Sequence, residues 1–152
     1  MKEYKPVIFK LDKEMYGIDI SLVQGIENEQ EVVKVPNTAP YIKGIMNLRG
    51  KVIPVYSLRA KFNMPESDNE VNQYIIVNVG EVMIALEVDK VEEIYNVDSL
   101  RIHEAPVIVK NGNTSYIDKV IDMDGKIIVT IDVNNLLTEE ESAGVKSMVN
   151  SL

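Results

Sequence analysis

The sequence predicts an all-β fold of closed architecture: two similar halves packed on one another, followed by a C-terminal helix. Three observations lead there. Short β-branched and aromatic runs recur at regular spacing, bounded by Gly, Asn, Asp and Pro, with no long helical pattern between them. Tight-turn dipeptides separate several of those runs. The two halves of the chain also resemble each other.

The first strand, Val7-Ile-Phe-Lys-Leu11, places Val7, Phe9 and Leu11 on one face. The turn Asp12-Lys13-Glu14 leads to a strand over Met15–Ile20. Further strands are expected over Lys51–Tyr56, Gln73–Val79, Val82–Val88 and Lys126–Ile131. Turn signals stand at Asn78-Val-Gly80, Asn111-Gly112 and Asp124-Gly125. Asp-Gly between apolar runs suits a two-residue hairpin, because both residues tolerate positive φ. Only the tail reads as helix. Thr138-Glu-Glu-Glu141 forms a capping box, and Val145, Met148, Val149 and Leu152 make one apolar stripe.

The repeat has two parts. Gly17–Ile26 aligns with Ala85–Ile94 at an offset of 68, pairing Ile18 with Leu86, Ile20 with Val88, Val23 with Val91 and Ile26 with Ile94. Ile45–Pro54 aligns with Val120–Val129 at an offset of 75. Each half repeats strand, short turn, strand and a Gly-Lys hairpin. Units this small need to pack together to bury a core. The polar segment Asn63–Asn72 between them reads as a linker or crossover. Positions that agree between halves serve the fold, and positions that disagree need another explanation. Arg49 stands where Asp124 stands in the second hairpin. Asp before Gly is what such a turn prefers, and Arg is not. Either the first turn is of another type with a solvated Arg, or Arg49 presents its five donors to a partner carboxylate or carbonyl.

Composition removes most chemistry. Of the 152 residues, 24 are acidic and 16 basic, a net charge of −8 that repels polyanions and argues against nucleic-acid binding. Cys is absent, which excludes disulfides, thiolate metal sites and Cys nucleophiles. His103 is the single His, so no His-pair zinc site exists; it falls in the polar, loop-like stretch Ser99–Pro106 and reads as a surface residue. There is no Gly-x-Ser-x-Gly elbow, dinucleotide fingerprint or P-loop. Asp122-Met-Asp-Gly125 has a fragment of a calcium loop but Val133 where the bidentate Glu belongs, so it reads as a hairpin. No signal peptide is visible, and no apolar run approaches the roughly 18–20 residues that span a bilayer. The expectation is a cytoplasmic protein with no cofactor and no metal. Protein binding leads by elimination. The alternative is a small β-barrel module that binds a small ligand or single-stranded nucleic acid.

The run Asn37–Phe62, with Pro40, Gly44, Asn47-Leu-Arg-Gly50, Pro54-Val55 and Leu58, resembles the CheW family of bacterial chemotaxis coupling proteins. Tyr16–Ile20, Val23-Gln24, Ile26 and Val88–Val91 are similar too, and the likeness runs from about Val7 to Leu137. It implies one domain over residues 1–152, made of two five-stranded SH3-like barrel subdomains at approximately 15–70 and 72–135. The N-terminal strand and C-terminal helix would pack across them. It also implies a non-catalytic adaptor that links the tips of methyl-accepting chemotaxis receptors to the regulatory domain of the histidine kinase CheA. Such a protein is cytoplasmic, is recruited to membrane-associated receptor arrays and inserts no segment into the membrane. Carried over residue by residue, Val23 matches a receptor-contact position. Gly44, Asn47 and Arg49 match positions that support receptor and kinase coupling. Gly25 departs from the pattern, since relatives carry Glu after Val-Gln.

Overall fold

The computed structural model of the chain describes residues 4–28, 31–36, 41–65, 72–105 and 116–136. The strands are β1 (Pro6–Leu11), β2 (Glu14–Asp19), β3 (Val23–Glu27), β4 (Ile42–Leu48), β5 (Lys51–Ser57), β6 (Gln73–Val79), β7 (Val82–Val88), β8 (Lys90–Ile94), β9 (Ile102–Glu104), β10 (Ile117–Met123) and β11 (Lys126–Ile131). One four-residue helix, α1 (Leu58–Lys61), follows β5. The described part is therefore β throughout, apart from α1 and short 3-10 turns. The C-terminal helix expected from Thr138 onward and the Asn111-Gly112 turn lie outside the described residues.

The chain divides into two units. The first takes the described residues up to Leu22 together with Lys90–Leu136, and the second takes Val23–Asp89. The first unit holds a six-stranded sheet of order β8-β1-β2-β11-β10-β9. The second holds a five-stranded sheet of order β3-β6-β7-β5-β4.

The two sheets have one topology. The β1–β2 hairpin corresponds to β6–β7, and the parallel pair β2/β11 corresponds to β7/β5. The β10–β11 hairpin corresponds to β4–β5. An edge strand completes each set, β8 beside β1 and β3 beside β6. Val33 also bridges Ile45 on β4 where β9 pairs with Val120 on β10. The two offsets in the sequence thus mark a real duplication. The edge strand of each unit comes directly after a hairpin of the other: β3 follows β2, and β8 follows β7.

Turn angles repeat as well. Asp12 and Gly80, 68 positions apart, both have positive φ, 55° and 62°. The capping groups agree too: Ser57 Oγ accepts from the Ala60 N–H, and Asp132 Oδ1 accepts from the Asn134 N–H.

Each unit has its own apolar cluster. In the first, Ile8, Val97, Ile121 and Ile128 are buried, with Met15, Ile102 and Met123 against them. In the second, Met46, Ile53, Val55, Tyr74, Ile76 and Ala85 are buried, with Val32, Leu48 and Met83 against them. Each such aliphatic or aromatic side chain contributes about 1.5–3 kcal/mol on burial. The buried run Ile84–Val88 shows no alternation, so that strand is shielded on both faces.

One local expectation changes. Within the stretch Ser99–Pro106, expected to be loop-like, the described residues form a 3-10 turn over Ser99–Arg101 followed by β9; His103 stands in that strand and is exposed. Three residues are too short a run to show alternation against a polar background. Helix α1 was equally silent in the sequence. A four-residue helix has no apolar period, and its local signal is the Ser57 cap.

Candidate functional site

The β4–β5 turn is built from its backbone outward. Leu48 pairs with Lys51, so Arg49 and Gly50 form a two-residue loop. Their φ angles are 53° and 87°, both positive, as a type I′ turn requires. Asn47 fixes the turn, its Oδ1 accepting from the Gly50 N–H at 2.8 Å. The second hairpin repeats this arrangement. Asp124 and Gly125 have φ 53° and 89°, and Asp122 Oδ1 accepts from the Gly125 N–H at 3.4 Å. The turns are therefore of one type. Arg49 occupies a left-handed position that Gly, Asn and Asp adopt with less strain.

Arg49 projects outward. Its side chain is 85% exposed, and one terminal nitrogen, Nη2, donates to Glu27 Oε1 at 3.2 Å. Glu27 ends β3, and Arg49 follows β4. Those are the two opposite edges of the five-stranded sheet. The sheet must curl for this pair to form, and among the described residues no ladder joins the two edges. Sequence reasoning missed Glu27. The available signal was the repeat, which puts Tyr95 at the matching position.

Gly44 has a packing reason. It is buried in β4, and a Cβ there would lie 2.1 Å from the Val33 carbonyl oxygen. Its absence lets the backbone of Val33 approach and exchange two hydrogen bonds with Ile45, each 2.9 Å. Gly25 differs, because a Cβ there meets nothing within 4 Å.

Val23 opens β3 and is half-buried. It pairs with Val77, whereas Gly25 pairs with Ile76, Ile26 with Ile75 and Glu27 with Tyr74. This bulge resets the alternation. Val23 and Ile26 share the face of Val77 and Ile75, while Gly25 and Glu27 share the face of Ile76 and Tyr74. Ile26 is 40% exposed, so β3 presents an apolar pair on one face and the partner of Arg49 on the other. Of the four residues singled out by sequence, Asn47 and Arg49 thus meet in one turn. Gly44 supports the same strand. Val23 lies on the opposite edge, linked to the turn through Glu27.

Two ionic groups surround this frame. Lys43 Nζ lies 2.7 Å from Glu87 Oε1, and the Tyr74 hydroxyl donates to Glu87 Oε2 at 3.3 Å. Arg59 of α1 clasps Asp89 with both ends of its guanidinium, its Nε donating to Asp89 Oδ1 at 2.7 Å. Its Nη1 donates to the Pro65 carbonyl at 2.9 Å. Among the described residues no group of three His, Asp or Glu side chains is placed to hold a metal ion. No helix there is long and apolar enough to cross a membrane. What the site offers is hydrogen-bond donors and apolar surface for another macromolecule.

Comparison with known proteins shows the family and the fold. A family model described as CheW-like domain matches residues 5–141. The chain is 33% identical to the chemotaxis protein CheW of Klebsiella aerogenes, covering 95% of this chain and 88% of that one. It is 30% identical to the chemotaxis protein CheW of Bacillus subtilis, covering 91% of this chain and 89% of the other. Among solved structures, the scaffolding protein TtCheW of Thermoanaerobacter tengcongensis matches with a TM-score of 0.83 and 30% identity, covering 92% of this chain and 96% of that one. With the family model spanning nearly the whole length and the duplicated sheets beneath it, the chain belongs to the CheW-like domain family.

Proposed function

We propose that this chain is a non-catalytic coupling adaptor that links the cytoplasmic tips of methyl-accepting chemoreceptors to the regulatory domain of the histidine kinase CheA. It works in the cytoplasm, at membrane-associated receptor arrays. The observation that carries this reading is Arg49. An L-residue in the left-handed region costs about 1–2 kcal/mol, and the equivalent turn shows that the fold is served as well by Asp. Strain held at one exposed turn points to use by a partner. The guanidinium offers charge-assisted hydrogen bonds, which fix register more firmly than neutral ones. Val23 and Ile26 offer apolar contact to a helical receptor tip, whose anchors repeat at i, i+3, i+4 and i+7. We read each sheet as an SH3-like barrel. The Arg49–Glu27 pair supports that for the second unit, since it brings the two sheet edges together.

The experiment is reconstitution of the ternary complex from this chain, a receptor-tip fragment and the kinase regulatory domain. Wild type should bring all three down together, and Arg49→Ala should retain much less of one partner. Equal recovery with both proteins would refute the role of Arg49. Failure of wild type to bind either partner would refute the adaptor reading.

A further inference from the structure

The chain has no Cys, so its methionine thioethers are the only sulfur an oxidant meets. They are not equally sheltered. Met46 is 2% exposed, inside the second unit's cluster. Met15 and Met123 are half-buried and pack against the first unit's cluster of Ile8, Val97, Ile121 and Ile128. Strand register puts both side chains on one face. Met15 on β2 pairs with Ile128, Ile128 pairs with Ile121, and Met123 follows Ile121 by two residues on β10. The two thioethers therefore border one aliphatic wall. The duplication gives a contrast: the position matching Met15 is Met83, and the one matching Met123 is Leu48. These two places hold one thioether and one hydrocarbon in the second unit, and two thioethers in the first.

We propose that Met15 and Met123 form a reversible oxidation site, whose modifying agent is a peroxide. Each step transfers one oxygen atom. A sulfur lone pair attacks a peroxide oxygen, the O–O bond breaks, an S–O bond forms, and the rest of the hydrogen peroxide leaves as water. Sulfur loses two electrons and the peroxide gains them. The product is a polar sulfoxide where a polarizable apolar thioether stood. Its oxygen has two places to go. Toward Ile121 and Ile128 it faces aliphatic side chains that offer no donor, and a buried acceptor without a donor is costly. Turned toward water, it takes the side chain off the cluster and uncovers apolar surface. Both outcomes loosen the first unit. The effect is larger there than in the second unit, where Leu48 carries no sulfur and Met46 is sealed. A reductase that draws electrons from thiols reverses the step: two thiols become a disulfide, the oxygen leaves as water and the thioether returns. The site is independent of the coupling role proposed above.

The test treats the full chain with hydrogen peroxide and follows it by peptide mass spectrometry and thermal unfolding. Met15 and Met123 should each gain one oxygen before Met46 does. The midpoint of unfolding should then fall by about 3–6 °C. It should return when methionine sulfoxide reductases and dithiothreitol remove the oxygen. The double variant Met15→Leu, Met123→Leu keeps the side-chain volume without the sulfurs, and should hold its midpoint through the same treatment. Met46 oxidised as fast as Met15 and Met123 would overturn the proposal. So would a midpoint unchanged once both carry oxygen. An equal fall in the double variant would overturn it too, by placing the effect at other methionines. The oxidation order and the wild-type midpoint use the natural chain alone, so they decide the matter even where the double variant folds poorly.

Discussion

Arg49 and Asp124 hold the same backbone angle, φ 53°, at the same place in two equivalent hairpin turns. One residue suits that angle and the other does not. The duplication thus supplies an internal reference, in which the fold's own requirement is visible in one copy and the exception in the other.

Relieving that exception should separate stability from coupling. Arg49→Asn places a residue tolerant of positive φ in the turn. The variant should gain up to about 1 kcal/mol in denaturant unfolding while losing receptor or kinase coupling. Arg49→Ala keeps an L-residue at the strained angle and removes only a surface pair, so its stability should stay within about 0.5 kcal/mol of wild type. Equal destabilisation by both variants would show that the Arg side chain serves the fold.

Gly44 should behave in the opposite way. The Val33 carbonyl leaves no room for a Cβ, so Gly44→Ala must displace the segment that bridges Ile45. A loss of more than about 2 kcal/mol is expected in urea unfolding. Any loss of coupling in this variant then follows from the fold. Gly25→Glu, into open space, should fold as wild type does.

Val23, half-buried, and Ile26, exposed, should carry apolar contact from β3. Val23→Asp and Ile26→Asp should each weaken binding to a receptor-tip fragment at least about tenfold, with circular dichroism unchanged. Wild-type affinity in both would move the receptor surface elsewhere.

Arg59 and Asp89 form a pair whose side chains are 10% and 7% exposed. Removing one member leaves a buried charge without its partner. Arg59→Ala should therefore cost about 3–5 kcal/mol. A cost below about 1 kcal/mol would mean that water replaces the lost contact.

Alkaline pH should act through Tyr4. Burial first, then the negative charges of Asp19, Asp118 and Asp132, raise its hydroxyl from 10.0 to about 12. The folded state holds this proton more tightly than the unfolded chain does. The contribution to stability is complete below pH about 10 and is lost as pH rises toward about 12. Tyr4→Phe should flatten part of that decline in unfolding measured across the range. An unchanged decline would assign it to other tyrosines.

Much of this was legible in the sequence. Strands β6, β7 and β11 fall where β-branched residues run between turn residues, and the two offsets match the paired topology of the sheets. Arg49 stood out because the second hairpin supplied the comparison. Glu27 did not, because its meaning depends on a sheet that curls until opposite edges meet, a long-range relation that local patterning does not encode. The reason for Gly44 was hidden similarly, since the backbone that approaches it comes from Val33, outside its hairpin. Ile26 was aligned with Ile94 as a matching apolar position, but its exposure depends on the β3 bulge.

The most direct measurement is CheA autophosphorylation in a reconstituted mixture of receptor, kinase and this chain, read with and without attractant. Wild type should raise the rate and make it fall when attractant is added, whereas Arg49→Ala should leave the kinase near its unassisted rate. A rate indifferent to wild-type protein, or equally controlled by Arg49→Ala, would contradict the account.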